Sequence, residues 1–130
     1  DVAIFTAAVS DVSALKKVNS KIKKEKLNKI LLKRNPDIIN NFTSKKINQS
    51  TLVIGFAAET NNHIKNAKIK LKQKKCDYVI VNKISKSNKI FNSDYNKIDI
   101  ITKDKVQSFK KNTKINIAKI LVKEIINEYI

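Results

Sequence analysis

Cysteine occurs once, at Cys76, which excludes an internal disulfide and any zinc site built from several cysteines. A lone thiol with no histidine beside it reads as a small buried apolar group, and a reducing cytosol is the compartment that suits it. Arginine also occurs once, at Arg34, and aromatic residues make up 6% of the chain. Bidentate reading of bases and phosphates favours arginine, and stacking on single strands favours exposed aromatics, so both devices of nucleic-acid recognition are in short supply. No apolar run approaches the roughly 20 residues that span a bilayer, and no signal-peptide pattern opens the chain. These absences predict a soluble, cytoplasmic protein without a membrane partner. Missing too are a Walker-type phosphate loop, an HExxH zinc motif, a metal-ligand cluster, and a serine or cysteine nucleophile with a histidine base. Covalent catalysis by the protein itself is therefore not expected.

What the chain has in excess is lysine. The formal charge is +17, carried almost wholly by 27 lysines spread from Lys16 to Lys123. Such a balance raises a nonspecific nucleic-acid-binding module as the alternative function, since a basic patch is the electrostatic footprint of a phosphate-backbone binder. The lysines are dispersed, however. With 16 Asn and 21 Ile they make up nearly half the sequence, and all three residues have A/T-rich codons, so genome composition alone could produce this charge.

At 130 residues the chain fits one domain with a sizeable core. Apolar runs at Val2 to Ala8, Leu52 to Ala58 and Tyr78 to Val81 read as strands buried on both faces, the pattern of a parallel sheet covered by helices. A helix after the second run is marked by Ile64, Ala67 and Leu71, with Thr60 or Asn61 as N-cap, and a C-terminal helix by Ala118, Leu121, Val122, Ile125 and Tyr129. A short helix is predicted over Pro36 to Ser44. Alternation over Asn96 to Thr102 and then Val106 to Phe109 predicts an edge hairpin. The polar, aperiodic stretch Ser13 to Lys29 reads as a mobile loop. The fold class is α/β, a Rossmann-like three-layer sandwich with a mostly parallel central sheet and an edge hairpin.

Short segments fall where these strands end or helices begin, which is where open α/β sheets hold nucleotides. AAVSD, Ala7 to Asp11, puts small side chains and then an aspartate at a strand exit; Asp11 serves either a ribose hydroxyl, a metal, or an ordinary turn. KIKK, Lys21 to Lys24, is either a solvated charge run or a loop whose lysine closes over phosphates. NPDI, Asn35 to Ile38, offers backbone N–H groups at a helix start. GFAAET, Gly55 to Thr60, combines the only glycine with Phe56, which is either core or pocket lining. His63, the only histidine, is read as structural or exposed.

In this order and spacing the segments, together with FNSDYN at Phe91 to Asn96, resemble the phosphopantothenoylcysteine synthetase family, the synthetase half of the bacterial bifunctional coenzyme A biosynthesis protein. The resemblance runs over essentially the whole chain. It implies CTP-dependent ligation of 4'-phosphopantothenate with cysteine through an acyl cytidylate, with magnesium accompanying the CTP. It places CTP contacts at Phe5, Thr6, Ala7, Asp11, Lys21, Pro36, Asp37, Ile38, Ile39, Phe56, Lys70 and Lys74, with Lys21 as the catalytic lysine. It further implies a homodimer, to whose interface Asn92 to Phe109 contributes, and a flavin-dependent decarboxylase fused or associated upstream, so that no flavin binds within these residues. In the family a glycine-containing strand and an asparagine serving the cysteine-dependent step precede the position of Asp1, so residues 1–130 read as the C-terminal portion of the synthetase domain.

Overall fold

A computed structural model describes residues 1–24, 28–45, 50–84 and 93–129, with residues 128 and 129 described by backbone alone. Its centre is a five-stranded sheet in the order β1 (Val2–Phe5), β4 (Leu52–Glu59), β5 (Tyr78–Lys83), β7 (Ile98–Ile101), β8 (Val106–Ser108). The first three strands run parallel and the last two are the antiparallel edge hairpin expected from the alternation. Its turn is closed by Thr102, whose backbone N–H donates to the Lys105 carbonyl and whose hydroxyl accepts from the Lys105 N–H.

Strand alternation sends β4 and β5 side chains to two separate cores. Val53, Ala57, Val79, Val81 and Ile101 meet Ala67 and Leu71 of α2 (His63–Gln73) on one face, with Cys76 among them. Ile54, Tyr78, Ile80, Ile98 and Ile100 meet Ile117, Leu121 and Ile125 of α3 (Lys114–Tyr129) on the other. Helix, sheet and helix thus form three layers. Burial raises the Cys76 thiol from its ordinary 9.0 to about 11, the nearby Lys74 charge pulling against the shift. An acid held neutral in the fold stabilises it fully below the unfolded value, and that stability drains away as pH climbs from 9.0 to about 11. At pH 8 iodoacetamide is expected to alkylate the folded chain about 100-fold more slowly than the urea-unfolded one; equal rates would show an accessible thiolate.

Several expectations shift in register or extent. The first strand stops at Phe5 rather than Ala8 and borders β4 alone in the sheet, leaving Val2 and Ile4 40% and 51% exposed instead of buried on both faces. Ile64 is exposed because the buried line of α2 starts from His63, whose Nε2 lies 3.1 Å from Oδ2 of the buried Asp99 on β7, and continues through Ala67 and Leu71. Neither Thr60 nor Asn61 caps this helix; the N-cap is Asn62 in left-handed conformation, φ 48°, with no side-chain cap bond. On α3 the inward stripe is Ile117, Leu121 and Ile125, while Ala118 and Val122 face outward. One position is about 100° of helix rotation, enough to exchange the two faces.

The largest departure concerns Ser13 to Lys29. Its start is structured: β2 (Val12–Ala14) pairs antiparallel with β3 (Leu32–Arg34), forming a separate ribbon whose connecting loop carries KIKK. Strands of three residues, VSA and LKR, are too short to show a period. The remaining short elements are α1 (Ile38–Ser44), β6 (Tyr95–Asn96) and β9 (Asn112–Thr113), the last two paired with each other before α3. Phe91 and Asn92 of FNSDYN, and so the start of the region expected at a dimer interface, lie outside the described residues.

Candidate functional site

The parallel strands β1, β4 and β5 end on the same edge of the sheet, and a cleft of about 560 Å³ opens there. One wall is the stretch after β1, from Phe5 through Thr6 and Ala7 to Asp11. The opposite wall is Pro36 through Ile39 at the start of α1, the floor is Phe56 to Ala58 with Asn82, and the rim is Lys70 of α2 with Lys74, that helix's C-cap. Residues far apart in sequence are thereby gathered. Every position expected to touch CTP lines this cleft except Lys21, which stands exposed on the β2–β3 loop and is not part of the lining.

Backbone hydrogen bonds explain why the walls stand where they do. At the root of the ribbon Asn35 donates its backbone N–H to the Asp11 carbonyl (2.9 Å) and its side-chain amide to the Ser10 carbonyl (2.9 Å). AAVSD and NPDI are thus stitched edge to edge, and Pro36, which lacks a donor, leads the chain into α1. Asp37 caps that helix, its Oδ1 accepting from the Asn40 N–H at 3.0 Å. Its other oxygen lies 3.5 Å from Nζ of Lys74. The buried Thr43 hydroxyl lies 3.0 Å from the Lys74 carbonyl and fastens α1 to the end of α2.

The aromatic residues divide their roles. Phe5 packs edge-on against Phe42 of α1, centroids 5.4 Å apart, and joins the α2-side core while lining the cleft. Phe56 belongs to the α3-side core and also reaches the cleft floor, so both readings of it hold. At Gly55 a Cβ would meet Cys76 Sγ at 3.4 Å and Ile39 Cδ1 at 3.5 Å, ordinary contact distances, and no positive φ is required. These described neighbours would therefore tolerate a side-chain methyl, and one of them, Ile39, lines the cleft.

Electrostatically the rim is positive but already partnered. Lys70 Nζ lies 2.6 Å from Glu59 Oε1, and Asn66 Nδ2 donates to Glu59 Oε2 at 2.9 Å. Burial pushes the Glu59 carboxyl up, but the bonds from Lys70 and Asn66 and the charges of Lys70 and His63 outweigh it and hold the group below its ordinary value. Asp11 adds a carboxylate to the wall, exposed and without a side-chain partner among the described residues. No group of three or more His, Cys, Asp or Glu side chains capable of caging a metal occurs among the described residues.

Two participants escaped the sequence reading. Glu59, within GFAAET, ends β4 and offered as its only signal a carboxylate at a strand terminus with lysines on the next helix. Asn82, next to last in β5, lies in the cleft floor, its side-chain oxygen accepting from the Asn96 amide at 2.8 Å. That bond gives the described end of FNSDYN its link to the site.

An α/β three-layer fold with a cleft at the carboxyl ends of parallel strands, walled by backbone and rimmed by lysine, defines a protein of the open-sheet α/β class, whose ligand sites lie at that edge. The chain belongs to the DNA/pantothenate metabolism flavoprotein C-terminal domain family, whose sequence pattern it matches over residues 1–129. It is 39% identical over 126 residues to the coenzyme A biosynthesis bifunctional protein CoaBC of Borreliella burgdorferi, covering 95% of this chain and 31% of that protein. To the protein of the same name from Haemophilus influenzae it is 35% identical over 128 residues, covering 97% and 31%. The chain therefore spans about a third of the length of these relatives. Among solved structures it resembles the C-terminal domain of a CoaBC protein, with TM-score 0.70, 29% identity, and coverage of 96% of this chain and 53% of that one. A DNA/pantothenate metabolism flavoprotein from Streptococcus pneumoniae shares the fold at TM-score 0.75 and 21% identity, with coverage of 98% and 63%.

Proposed function

We propose that the chain is the CTP-binding part of a phosphopantothenate–cysteine ligase acting in coenzyme A biosynthesis. What carries the reading is convergence: residues picked out at strand ends and helix starts across the first 74 positions, Lys21 aside, meet in one cleft. Family membership and the CoaBC relatives support the pathway.

In this reading the carboxylate of 4'-phosphopantothenate attacks the α-phosphorus of CTP, the P–O bond to the β-phosphate breaks, and pyrophosphate leaves. The amine of cysteine then attacks the acyl carbon, CMP departs with the bonding electrons, and the amine proton is lost as the amide forms. Such a site has to hold two anions together and keep water from a reactive acyl phosphate. Backbone groups of Pro36 to Ile39 and Ala7 address the base, Lys70 and Lys74 neutralise the triphosphate, and Asp11 positions the nucleotide through its ribose or its magnesium. Magnesium, when bound with CTP, neutralises phosphate charge. Lys21 closes with its loop over the transferring phosphate.

Calorimetric titration with CTP and magnesium at moderate salt tests the proposal, with ATP and a short DNA duplex as controls. Saturable binding that prefers CTP is expected. Affinity for the duplex alone, falling linearly in log–log terms as salt rises, would replace the reading with charge-driven nucleic-acid binding.

A further inference from the structure

The two rim lysines are held very differently. Lys74 meets Asp37 at 3.5 Å, and that carboxylate is itself substantially exposed. Lys70 meets Glu59 at 2.6 Å, and the Glu59 side chain is only 13% exposed although Lys70 remains 41% so. Glu59 is immobilised at every point of attachment. Its backbone carbonyl accepts from the Ile84 N–H at 2.8 Å, and its second carboxylate oxygen accepts from Asn66, which also donates to the Asn61 carbonyl at 3.2 Å. An ammonium group has three donors, and one of them is taken by Glu59. The others remain available on a residue that lines the cleft.

We infer that Glu59, oriented by Asn66, is a positioning residue that holds the Lys70 ammonium at the cleft rim, ready to receive the phosphates of a nucleoside triphosphate. The inference rests on the nucleotide-binding reading of the cleft and adds to it a residue that touches no ligand. The physical reason is entropy. A free lysine side chain is among the most flexible and loses that freedom when it clamps an anion, whereas a tethered one has lost it already. Glu59 also keeps Lys70 neutralised when no ligand is present, so the rim does not collect bare polyanions.

A double-mutant cycle separates seating from mere stability. The probe is CTP with magnesium, titrated calorimetrically into the unaltered chain, Glu59→Gln, Lys70→Ala and the double variant, with thermal unfolding as a fold check. Lys70→Ala is expected to weaken binding about tenfold and Glu59→Gln about fivefold, while the double variant is no weaker than Lys70→Ala alone. Glu59→Asp, which keeps the charge but shortens the reach, recovers part of the loss. Additive losses, or binding that is unchanged or tightened in Glu59→Gln, overturn the seating role and leave the cleft reading intact. Lys70→Ala binding as tightly as the unaltered chain overturns this inference while leaving the nucleotide reading in place, and no binding by the unaltered chain overturns both. Should Glu59→Gln fail to fold, Asn66→Ala takes its place in the cycle with the same expected sign.

Discussion

In a ligase that includes this chain, Lys21→Gln is expected to cut turnover by about 100-fold while leaving the affinity for CTP within about threefold. The split follows from where the residue stands. Lys21 does not line the cleft; it lies on the loop of the β2–β3 ribbon, and that ribbon is rooted at the cleft wall by the Asn35 to Asp11 and Ser10 bonds. A cation that arrives only when its loop closes contributes little to the resting complex. Its contribution grows where charge develops on the transferring phosphate, in a site from which closure has removed water. Steady-state kinetics with direct CTP titration checks both halves. Normal turnover in the variant would refute the catalytic role, and a loss of affinity equal to the loss of turnover would place Lys21 in ground-state binding instead.

Removing the charges of Lys70 and Lys74 together should have the opposite signature, with CTP bound about 100-fold more weakly and cytidine bound no differently. These residues sit one turn apart, on α2 and at its C-cap, both on the cleft rim, and each meets a carboxylate from another element, Lys70 closely and Lys74 more loosely. They are in place before any ligand arrives. Calorimetry on the Lys70→Ala, Lys74→Ala double variant with CTP and with cytidine separates phosphate recognition from damage to the cleft. An equal loss for both ligands would mean the walls had moved, as the Thr43 bond to the Lys74 carbonyl makes conceivable only if α2 frays. Unchanged CTP binding would remove the triphosphate from this rim.

The contrast between these lysines shows what sequence carries and what it does not. The buried strands β4 and β5 were legible because Leu52 to Ala58 and Tyr78 to Val81 are unbroken apolar runs, and both cores grow from them. The edge hairpin was legible from alternation. The ribbon was not, since its strands are three residues each and their pairing depends on partners some twenty positions away, which no local period records. At the site, motif positions identified the walls, because strand exits and helix starts are marked by Pro36, Asp37 and the small residues around Ala7. The carboxylates that orient the lysines left a weaker trace: Glu59 and Lys70 are distant in sequence and meet only after β4 and α2 have packed.

The cleft also stands at the most non-local seam of the sheet. The hairpin β7–β8 closes over a few residues, whereas β1 pairs with β4 across roughly fifty, and loop-closure entropy makes such a contact late to form and early to open. The cleft walls are therefore expected to assemble late, after the rest of the sheet has a core to offer them. A ligand gripping the stretch after β1 and the end of β4 at once acts as a clasp on that seam, and its arrival should slow hydrogen exchange along β1 far more than along β7.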